Sequence, residues 1–524
     1  MNIYDKFNRE LEGEPFSGYP EYMDYLFACV NSRMDLYLEE MKGLFASGQG
    51  GYKNVLYPDL EIAHTMCQEK IHIFSSETVR DGEGEETGEE QPAELSDELM
   101  ALLGDYAAEM RTVASGENHS VREPDCEEMM AFIEVRAEKT MEAGIALPFY
   151  SLCKKMEFEH FTTFCFACSI LASTQTDYAG VFQVINENGN LPAPTIESAA
   201  RLYYGSEFSI TGAYGDMSVG LEQLQPILDL RVNGSMPFST VVTPDKRIID
   251  FLFGKHPMQL DENYIRFFKM LTDDRELDPI MANQGQLDAM EISYREGVRI
   301  FSFFGDEGSG RKFFIKQFCK KNGMGAISVN CKKLFVYDFA FVEKALWAVT
   351  RECILTNSCC CLDELTFHEE EKDKFLGYMD LAFAKLVSKG LLVYALSKEK
   401  MPMRDITKEE FTELEIPTPT TQEREECWRL FAKDYALGDD IDLLEMATKF
   451  LFTPGKIKAA LANARSLATM NKDILIPRAT LFQGCNNQMS SELTQKATKV
   501  KANFGFEDIV MNRDQRETLE HAID

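Results

Sequence analysis

Apolar residues recur every three or four positions along much of the first half of the chain. Residues 19–38 and 99–143 show this period, and residues 158–172 are apolar on most faces. Such spacing is typical of amphipathic helices, and an apolar circumference is typical of a buried helix. Thr195 precedes the helical pattern of residues 196–204, where a threonine oxygen can cap the helix start. The pattern predicts a helical region over residues 1–76 and a second helical domain, with a few short strands, over residues 99–260.

Residues 77–98 interrupt this pattern with many Asp and Glu side chains and little apolar content. A segment of this composition cannot bury enough apolar surface to fold, so we expect a disordered linker. An acidic docking site for a basic partner is the functional alternative.

The apolar pattern changes in the second half of the chain. Short apolar runs at residues 298–304, 325–329, 358–362 and 390–396 alternate with helix-like stretches. Strands that alternate with helices are typical of a doubly wound parallel sheet, so residues 262–415 predict an α/β domain. Residues 416–490 show helical periods and predict a helical lid. The expected fold is multidomain, with α/β and all-α parts, and residues 491–524 are expected to be a linker.

A glycine-rich loop joins the first apolar run to a helix-like stretch. Gly305 and Gly310 hold the glycine positions of the phosphate-binding pattern G-x-x-x-x-G-K-[ST]. The N–H groups of such a loop and of the helix that follows attract phosphate. Arg311 stands where the pattern has lysine, and Lys312 stands where it has a hydroxyl. The residues predicted to bind a nucleotide here are Gly305, Asp306, Glu307, Gly308, Ser309, Gly310, Arg311, Lys312 and Phe313.

Two carboxylates end the third apolar run. Asp363 and Glu364 follow four apolar residues, which is the Walker B pattern. In that pattern the aspartate orients Mg²⁺ or its waters and the glutamate polarises the attacking water. The pattern is weak alone, but here it shares a predicted sheet with the glycine loop. Asp363 is therefore the predicted metal ligand, and both residues are predicted to be catalytic.

Polar residues farther along the chain can complete such a site. Ser397 ends the fourth apolar run, where a polar side chain would face the γ-phosphate. Lys456 and Lys458 lie in the predicted lid and are candidates for a second phosphate contact. Arg404 is the only arginine between Ser397 and the lid, which makes it the candidate arginine finger. An ordinary surface arginine is the alternative for Arg404.

The departures from the phosphate-binding pattern at Arg311 and Lys312 affect the expected binding of Mg²⁺. Mg²⁺ takes oxygen ligands in octahedral geometry, and Lys312 offers a cation where a hydroxyl is expected. Shifting the register to make Lys312 the Walker lysine places Phe313 at the hydroxyl position. The wide, flat guanidinium of Arg311 replaces a compact ammonium poorly. We expect ATP or ADP binding that is weakened or independent of Mg²⁺, with slow or absent hydrolysis, although the retained Asp363 and Glu364 argue against complete decay.

Residues 262–490 resemble an AAA+ ATPase module. The resemblance rests on the glycine loop, Asp363 and Glu364, Ser397, residues 416–419 and the helical lid. Upstream, residues 55–61, 158–161, 191–195 and 243–254 are similar to the winged-helix N-terminal region of bacterial Cdc48-like AAA ATPases. Some of those ATPases accompany contractile injection systems. They carry two AAA modules, the first degenerate and the second active.

The same resemblance implies more about the complete protein. Residues 504–519 look like the segment that opens a second AAA module, and the sequence stops before another glycine loop. A fragment or a truncated gene is therefore expected. The resemblance implies a hexameric ring that remodels protein substrates with ATP. The implied partners are a protein substrate or adaptor and further copies of the chain.

Composition limits the other partners. The formal net charge of −32 and pI of about 4.7 oppose a general binder of nucleic acid or anionic membrane, since both need a positive surface. The sequence contains no run of eighteen or more apolar residues, so no membrane span is expected. The N-terminus lacks the apolar core of a signal peptide. The 14 cysteines lie mostly in apolar segments. They indicate reduced core thiols in a cytoplasmic protein, including the Cys165 and Cys168 pair.

Four function classes stay open on these grounds. The leading hypothesis is an ATP-binding AAA+ protein in which this chain supplies recruiting and regulatory parts. An active ATPase that still uses Glu364 is the second hypothesis, and a scaffold with a relic nucleotide fold is the third. A DNA-binding regulator is the fourth, and the acidic charge disfavours it because phosphate contacts supply much of DNA affinity.

Overall fold

The computed structural model describes residues 7, 13–46, 57–76, 124–228, 236–254, 260–272 and 277–496. The acidic segment 77–98 and the segment 504–519 lie outside the described residues. The chain divides into two compact units: the first comprises Met1–Tyr264 with Trp347–Thr356, and the second comprises Ile265–Leu346 with Asn357–Asp524. The described residues hold 19 α-helices and a six-stranded, mostly parallel sheet, which confirms the mixed α/β class. In these residues no helix is long and apolar enough to cross a membrane.

The first unit is built mainly from helices. Residues from both predicted helical regions, 1–76 and 99–260, belong to this one unit, because their apolar faces pack together. The rings of Tyr25 and Phe132, for example, stack with their centroids 6.3 Å apart. The helices are α1 (Tyr19–Ala46), α2 (Tyr57–Ser76), α3 (Cys126–Glu142), α4 (Pro148–Lys155), α5 (His160–Thr174), α6 (Tyr178–Ile185), α7 (Ile196–Tyr204), α8 (Ile210–Leu224) and α9 (Lys246–Leu252).

Local signals explain several helix boundaries in this unit. Thr195 caps α7 as predicted, since its side-chain oxygen accepts a hydrogen bond from the N–H of Ser198. Asp125 and Glu128 form a reciprocal capping box at the start of α3. The apolar stretch predicted to be a buried helix is α5, which is buried along most of its length.

Residues 237–244 form no continuous strand, although a few short strands were expected in residues 99–260. They contain a 3-10 turn, Pro237–Ser239, and isolated bridges of Val241 with Thr195 and of Pro244 with Leu228. Proline supplies no N–H to a strand ladder, and Pro237 and Pro244 bound this stretch, so the pairing stops at single bridges. The winged-helix character of the first unit therefore stays a prediction.

The second unit contains the sheet and the remaining helices. Its strands are β1 (Phe268–Met270), β2 (Ile300–Phe304), β3 (Gly325–Asn330), β4 (Ser358–Leu365), β5 (Val393–Ser397) and β6 (Phe411–Glu415). The helices of the α/β part are α10 (Gln284–Arg295), α11 (Arg311–Lys321), α12 (Cys331–Leu334), α13 (Phe339–Leu355), α14 (Lys372–Val387) and α15 (Met403–Ile406). The helices that follow are α16 (Thr421–Ala432), α17 (Leu443–Lys449), α18 (Pro454–Asn471) and α19 (Arg478–Lys496). Because α19 continues to Lys496, the linker predicted from residue 491 starts inside a helix.

The order of the strands in the sheet is β1-β3-β4-β5-β2-β6. Only β1 is antiparallel to its neighbour, so the expected parallel sheet is confirmed. The sequence pattern missed both edge strands. The short β1 has a lysine at its centre, and β6 is mostly polar, so neither reads as a buried apolar run. The last turns of α13, from Trp347, belong to the first unit.

Two apolar cores hold the second unit together. One joins the sheet to α10 and α11 through side chains such as Phe301, Phe318 and Tyr394. The other lies among the helices α16 to α19 and surrounds Trp428, which is fully buried. All 14 cysteines of the chain are buried and free of disulfides, which confirms the predicted core thiols. Cys165 and Cys168 are among them, with no accessible surface.

A buried ion pair lies within the first unit. The guanidinium of Arg247 at the start of α9 donates from Nε to Glu352 Oε1 over 3.0 Å, and Glu352 has no accessible surface. Glu352 comes from the last turns of α13. Burial raises the pKa of Glu352, while the adjacent Arg247 and Arg351 lower it. The pair ties α9 to the last turns of α13.

Replacing Glu352 by alanine should destabilise the first unit. The change removes the carboxylate that faces the buried Arg247, and breaking a buried pair in this way costs about 3–5 kcal/mol. Urea unfolding followed by the fluorescence of Trp347, in a Trp428→Phe background, measures the loss. The control is Glu197→Ala, which breaks an (i, i+4) pair with Arg201 and should cost about 0.5 kcal/mol or less. Equal losses of unfolding free energy in the two variants would show that the buried pair stabilises the unit no more than the exposed pair does.

Candidate functional site

The predicted site residues meet at one edge of the sheet in the second unit. In the parallel pairs, Phe304 of β2 lies opposite Ser397 of β5, and Asn330 of β3 lies opposite Asp363 of β4. These are the carboxyl ends of the strands, where open α/β sheets bind their ligands. The loop that follows β2 and the carboxylates that end β4 therefore lie along the same edge.

The glycine loop has the backbone shape that its sequence predicts. Gly305, Gly308 and Gly310 all have positive φ, at 150°, 78° and 99°. Other residues adopt this region at a cost, whereas glycine adopts it freely. The last of the three, Gly310, caps α11, and its carbonyl accepts hydrogen bonds from the N–H groups of Phe313 and Phe314. The loop therefore turns tightly from the sheet into the start of a helix.

The loop also touches the first turn of α18. The N–H of Gly455 donates to the carbonyl of Gly308 over 2.9 Å, and the hydroxyl of Thr453 donates to the carbonyl of Glu307 over 2.9 Å. A Cβ atom on Gly455 would lie 2.6 Å from the Cα of Gly308, a distance that no other residue tolerates. Glycine at both positions allows the two backbones to approach this closely.

The two cations that follow the loop are both held by groups at the sheet edge. The ammonium of Lys312 forms an ion pair with Asp363, whose Oδ2 also accepts from the hydroxyl of Ser328 over 3.4 Å. The guanidinium of Arg311 donates to the carbonyl of Ser397. Burial lowers the pKa of Arg311 from its usual value, and nearby carboxylates oppose that shift; they belong to Asp363, Glu364, Asp306 and Glu307.

Glu364 has an unusual backbone for a strand residue. Its φ is 57°, in the left-handed region, and the pairing of β4 with β5 shifts register between Leu362 and Leu365. A strained residue of this kind costs about 1–3 kcal/mol and persists where the surroundings fix it. The shift leaves Glu364 exposed although the strand residues on either side of it are buried. Glu364 lines the cavity described next.

A cavity of about 920 Å³ opens over this edge of the sheet. The loop residues Gly308, Ser309 and Gly310 line part of it, and Asp363 and Glu364 line the adjoining part. An apolar wall comes from the segment before α10 and from α16; its members are Ile280, Met281, Ala282, Cys427, Leu430 and Phe431. A cavity with one apolar wall and a few converging polar groups is the usual form of a small-molecule site.

Ser309 is the buried polar group of this loop. The residue is 3% exposed, and its hydroxyl has no hydrogen-bond partner among the residues that the structure describes. A buried hydroxyl without a partner costs free energy, so a ligand oxygen in the cavity would be a favourable partner. Lys458 of α18 also lines the cavity, and its ammonium lies 3.0 Å from Asp278 and 4.3 Å from the ring centre of Phe431.

The structure brings most of the predicted site residues together. Those that line the cavity are Glu307, Gly308, Ser309, Gly310, Arg311, Lys312, Phe313, Asp363, Glu364 and Lys458. Gly305 and Asp306 belong to the loop but lie outside the cavity lining. Lys456 is also outside the lining, although its backbone N would lie 3.2 Å from a Cβ on Gly308.

Ser397 and Arg404 have other surroundings. The hydroxyl of Ser397 donates to the carbonyl of Glu399 over 2.7 Å, so it is directed along its own loop, and the backbone carbonyl of Ser397 holds Arg311. Arg404 is exposed on α15 and does not line the cavity of its own chain. An arginine finger can act on the site of a neighbouring copy. The position of Arg404 in a single chain therefore leaves its predicted role as an arginine finger untested.

Sequence reasoning missed the apolar wall. Ile280 and Met281 lie in an irregular stretch without periodicity, and no motif marks them. Cys427 and Phe431 stand four residues apart on α16, which is the spacing of one helix face. That spacing was a usable signal, but an amphipathic helix face is more often core than ligand site.

Comparisons with known proteins give no family for this chain. No protein-family model matches the sequence, and no curated protein matches it. The function must therefore be argued from the site itself.

Replacing Gly308 by alanine should separate the loop from α18. The new methyl would lie 2.7 Å from Thr453 Oγ1 and 3.1 Å from Gly455 Cα, at a φ that alanine already disfavours. The matched control is Gly323→Ala, where φ is 63° and nothing lies within 4 Å. Both variants carry the backbone strain, so the difference isolates the clash, which we expect to cost about 1–3 kcal/mol. Urea unfolding followed by Trp428 fluorescence, in a Trp347→Phe background, measures it; equal stabilities would show that the contact is dispensable.

Proposed function

We propose that the second unit is a nucleotide-binding module of the AAA+ ATPase type. We further propose that the chain supplies the recruiting and regulatory part of a protein-remodelling ATPase. One observation carries the proposal: a three-glycine loop, a Walker B carboxylate pair and an apolar wall converge on a single cavity.

The phosphate end of the ligand fits the loop. The N–H groups of Arg311 and Lys312 at the start of α11 and the partial positive charge of the helix N-terminus attract an anion. Arg311 can offer a phosphate several donors in one plane, and the buried hydroxyl of Ser309 can offer one more. The chain as a whole carries a large negative charge, so this local concentration of donors supports an anion site.

The apolar part of the cavity lining fits an aromatic base. Phe431, Met281 and Ile280 give the cavity an apolar wall of the kind that flat rings pack against. A cavity lined both by cationic donors and by apolar side chains matches the phosphate and base parts of ATP or ADP.

Hydrolysis is expected to be weak in this module. Phosphoryl transfer depends on cations placed around the transferring phosphate. Here the carboxylates of Asp306 and Glu307 lie beside the loop and oppose extra negative charge. Arg311, in the place of the Walker lysine, donates one N–H to Ser397, and its wide, flat guanidinium replaces the compact ammonium poorly.

The geometry of Glu364 favours a second candidate, an active ATPase. The left-handed backbone turns this carboxylate out of the strand and into the cavity lining, where it could polarise a water. Such strain is common at catalytic residues. The larger assembly, a cytoplasmic hexamer that takes a protein substrate or adaptor, belongs to the proposal through the resemblance.

Nucleotide binding and phosphate release test the proposal together. Calorimetric titration of the full chain with ATP and ADP should give saturable binding, and phosphate release should stay at least 100-fold below the roughly 10 s⁻¹ of a typical enzyme. Glu364→Gln keeps the shape of the side chain and should leave binding unchanged. Glu370→Gln, at an exposed glutamate nearby, is the control.

Each alternative has its own outcome in these assays. Turnover near 10 s⁻¹ that Glu364→Gln abolishes and Glu370→Gln preserves would establish the active ATPase instead. If no nucleotide binds at millimolar concentration, with or without Mg²⁺, the remaining hypothesis is a scaffold with a relic nucleotide fold.

A further inference from the structure

We propose that the ammonium of Lys312 takes the place of Mg²⁺ at this site, so that the ligand is the metal-free nucleotide. The inference rests on the proposed function and specifies the form of its ligand. It predicts that Mg²⁺ weakens nucleotide binding, because Mg²⁺ in solution binds the nucleotide and lowers the concentration of its metal-free form.

The residues present do not fit a magnesium ion. Mg²⁺ needs oxygen ligands in nearly ideal octahedral geometry and is usually held by carboxylate, hydroxyl, water and phosphate oxygens. In the P-loop pattern the position after the basic residue supplies the hydroxyl, and this chain has Lys312 there. The described residues also hold no group of three or more His, Cys, Asp or Glu side chains that could bind a metal.

The remaining metal ligand is already neutralised. Asp363 is the Walker B carboxylate, its side chain is 12% exposed, and its Oδ2 pairs with the Lys312 ammonium. A dication at this carboxylate would have to displace the ammonium or lie against it. Coulomb repulsion between a dication and an ammonium is twice that between two single charges at the same distance.

The ammonium can serve the phosphates in the metal's place. It carries three donors, and the Lys312 side chain is 44% exposed on the cavity side of α11. It can therefore face Asp363 and a phosphate oxygen at once. Arg311 is adjacent in sequence, so the first turn of α11 brings two fixed cations to a phosphate chain without a bound ion.

The test measures nucleotide affinity with and without the metal. The full chain is titrated with ATP and with ADP, in EDTA and in excess Mg²⁺. We expect the affinity in EDTA to exceed that in Mg²⁺ by roughly tenfold, the value of about one charge-assisted hydrogen bond.

Variants at Lys312 locate the cause. Lys312→Thr restores the hydroxyl and removes the ammonium, so binding in EDTA should fall roughly tenfold and Mg²⁺ should now strengthen it. Lys320→Thr removes the same charge from the last turn of the same helix and should keep the wild-type response to Mg²⁺. If Lys312→Thr does not fold, Lys312→Met can replace it, because methionine keeps the length of the side chain. Lys312→Met should lose affinity in EDTA to the same extent as expected for Lys312→Thr.

The outcomes separate this inference from the proposed function. Tighter wild-type binding in Mg²⁺ than in EDTA would overturn the metal-free ligand and leave nucleotide binding intact. An unchanged response to Mg²⁺ in a folded Lys312→Thr would also overturn it, because the ammonium would not be the cause. Absence of binding in both buffers would overturn the proposed function and this inference with it.

Discussion

The cavity in the second unit depends on one backbone contact, between Gly308 in the loop after β2 and Gly455 in the first turn of α18. A methyl group on either residue would meet the opposite backbone or the side chain of Thr453. Only a pair of glycines permits this approach. Through it the sheet, which carries the loop and the carboxylates, is fixed to the helices that carry Phe431 and Lys458. The contact sets the distance between the loop and the first turn of α18.

Both cations that follow the loop have partners at the sheet edge. Lys312 neutralises Asp363, and Arg311 is held by the carbonyl of Ser397. A partly buried carboxylate beside a phosphate site would repel the ligand if it had no counter-ion. If the loop binds phosphate as we propose, the ammonium of Lys312 provides that counter-ion for Asp363.

Glu364 adds strain to the same edge. Its left-handed backbone interrupts the pairing of β4 with β5, and the neighbouring residues of β4 stay buried. The strain is local because the sheet core, with Cys361 and Tyr394, holds the strand on both sides. A rigid sheet that supports one strained carboxylate at its edge is an arrangement suited to positioning a single side chain in a cavity.

Features that depend on near neighbours could be predicted from the sequence. The spacing of apolar residues gave α7 and its Thr195 cap, the four central strands and the buried α5, because helix and strand periods are set over a few residues. The glycines at 305 and 310 predicted a tight turn into a helix for the same reason. Both edge strands were missed, because three residues with a central lysine, or a short run that is mostly polar, carry too little signal.

The sequence by itself determined the glycine loop between a strand and a helix, the carboxylate pair near the end of a buried strand and the parallel sheet that holds them. Only the tertiary structure decided that Lys312 pairs with Asp363, that Gly308 meets Gly455, and that Ile280 and Phe431 share a wall. It also decided that the last turns of α13 belong to the first unit. The physical reason is separation along the chain: these contacts join residues that no local period relates, and they form only when the sheet and the helices pack.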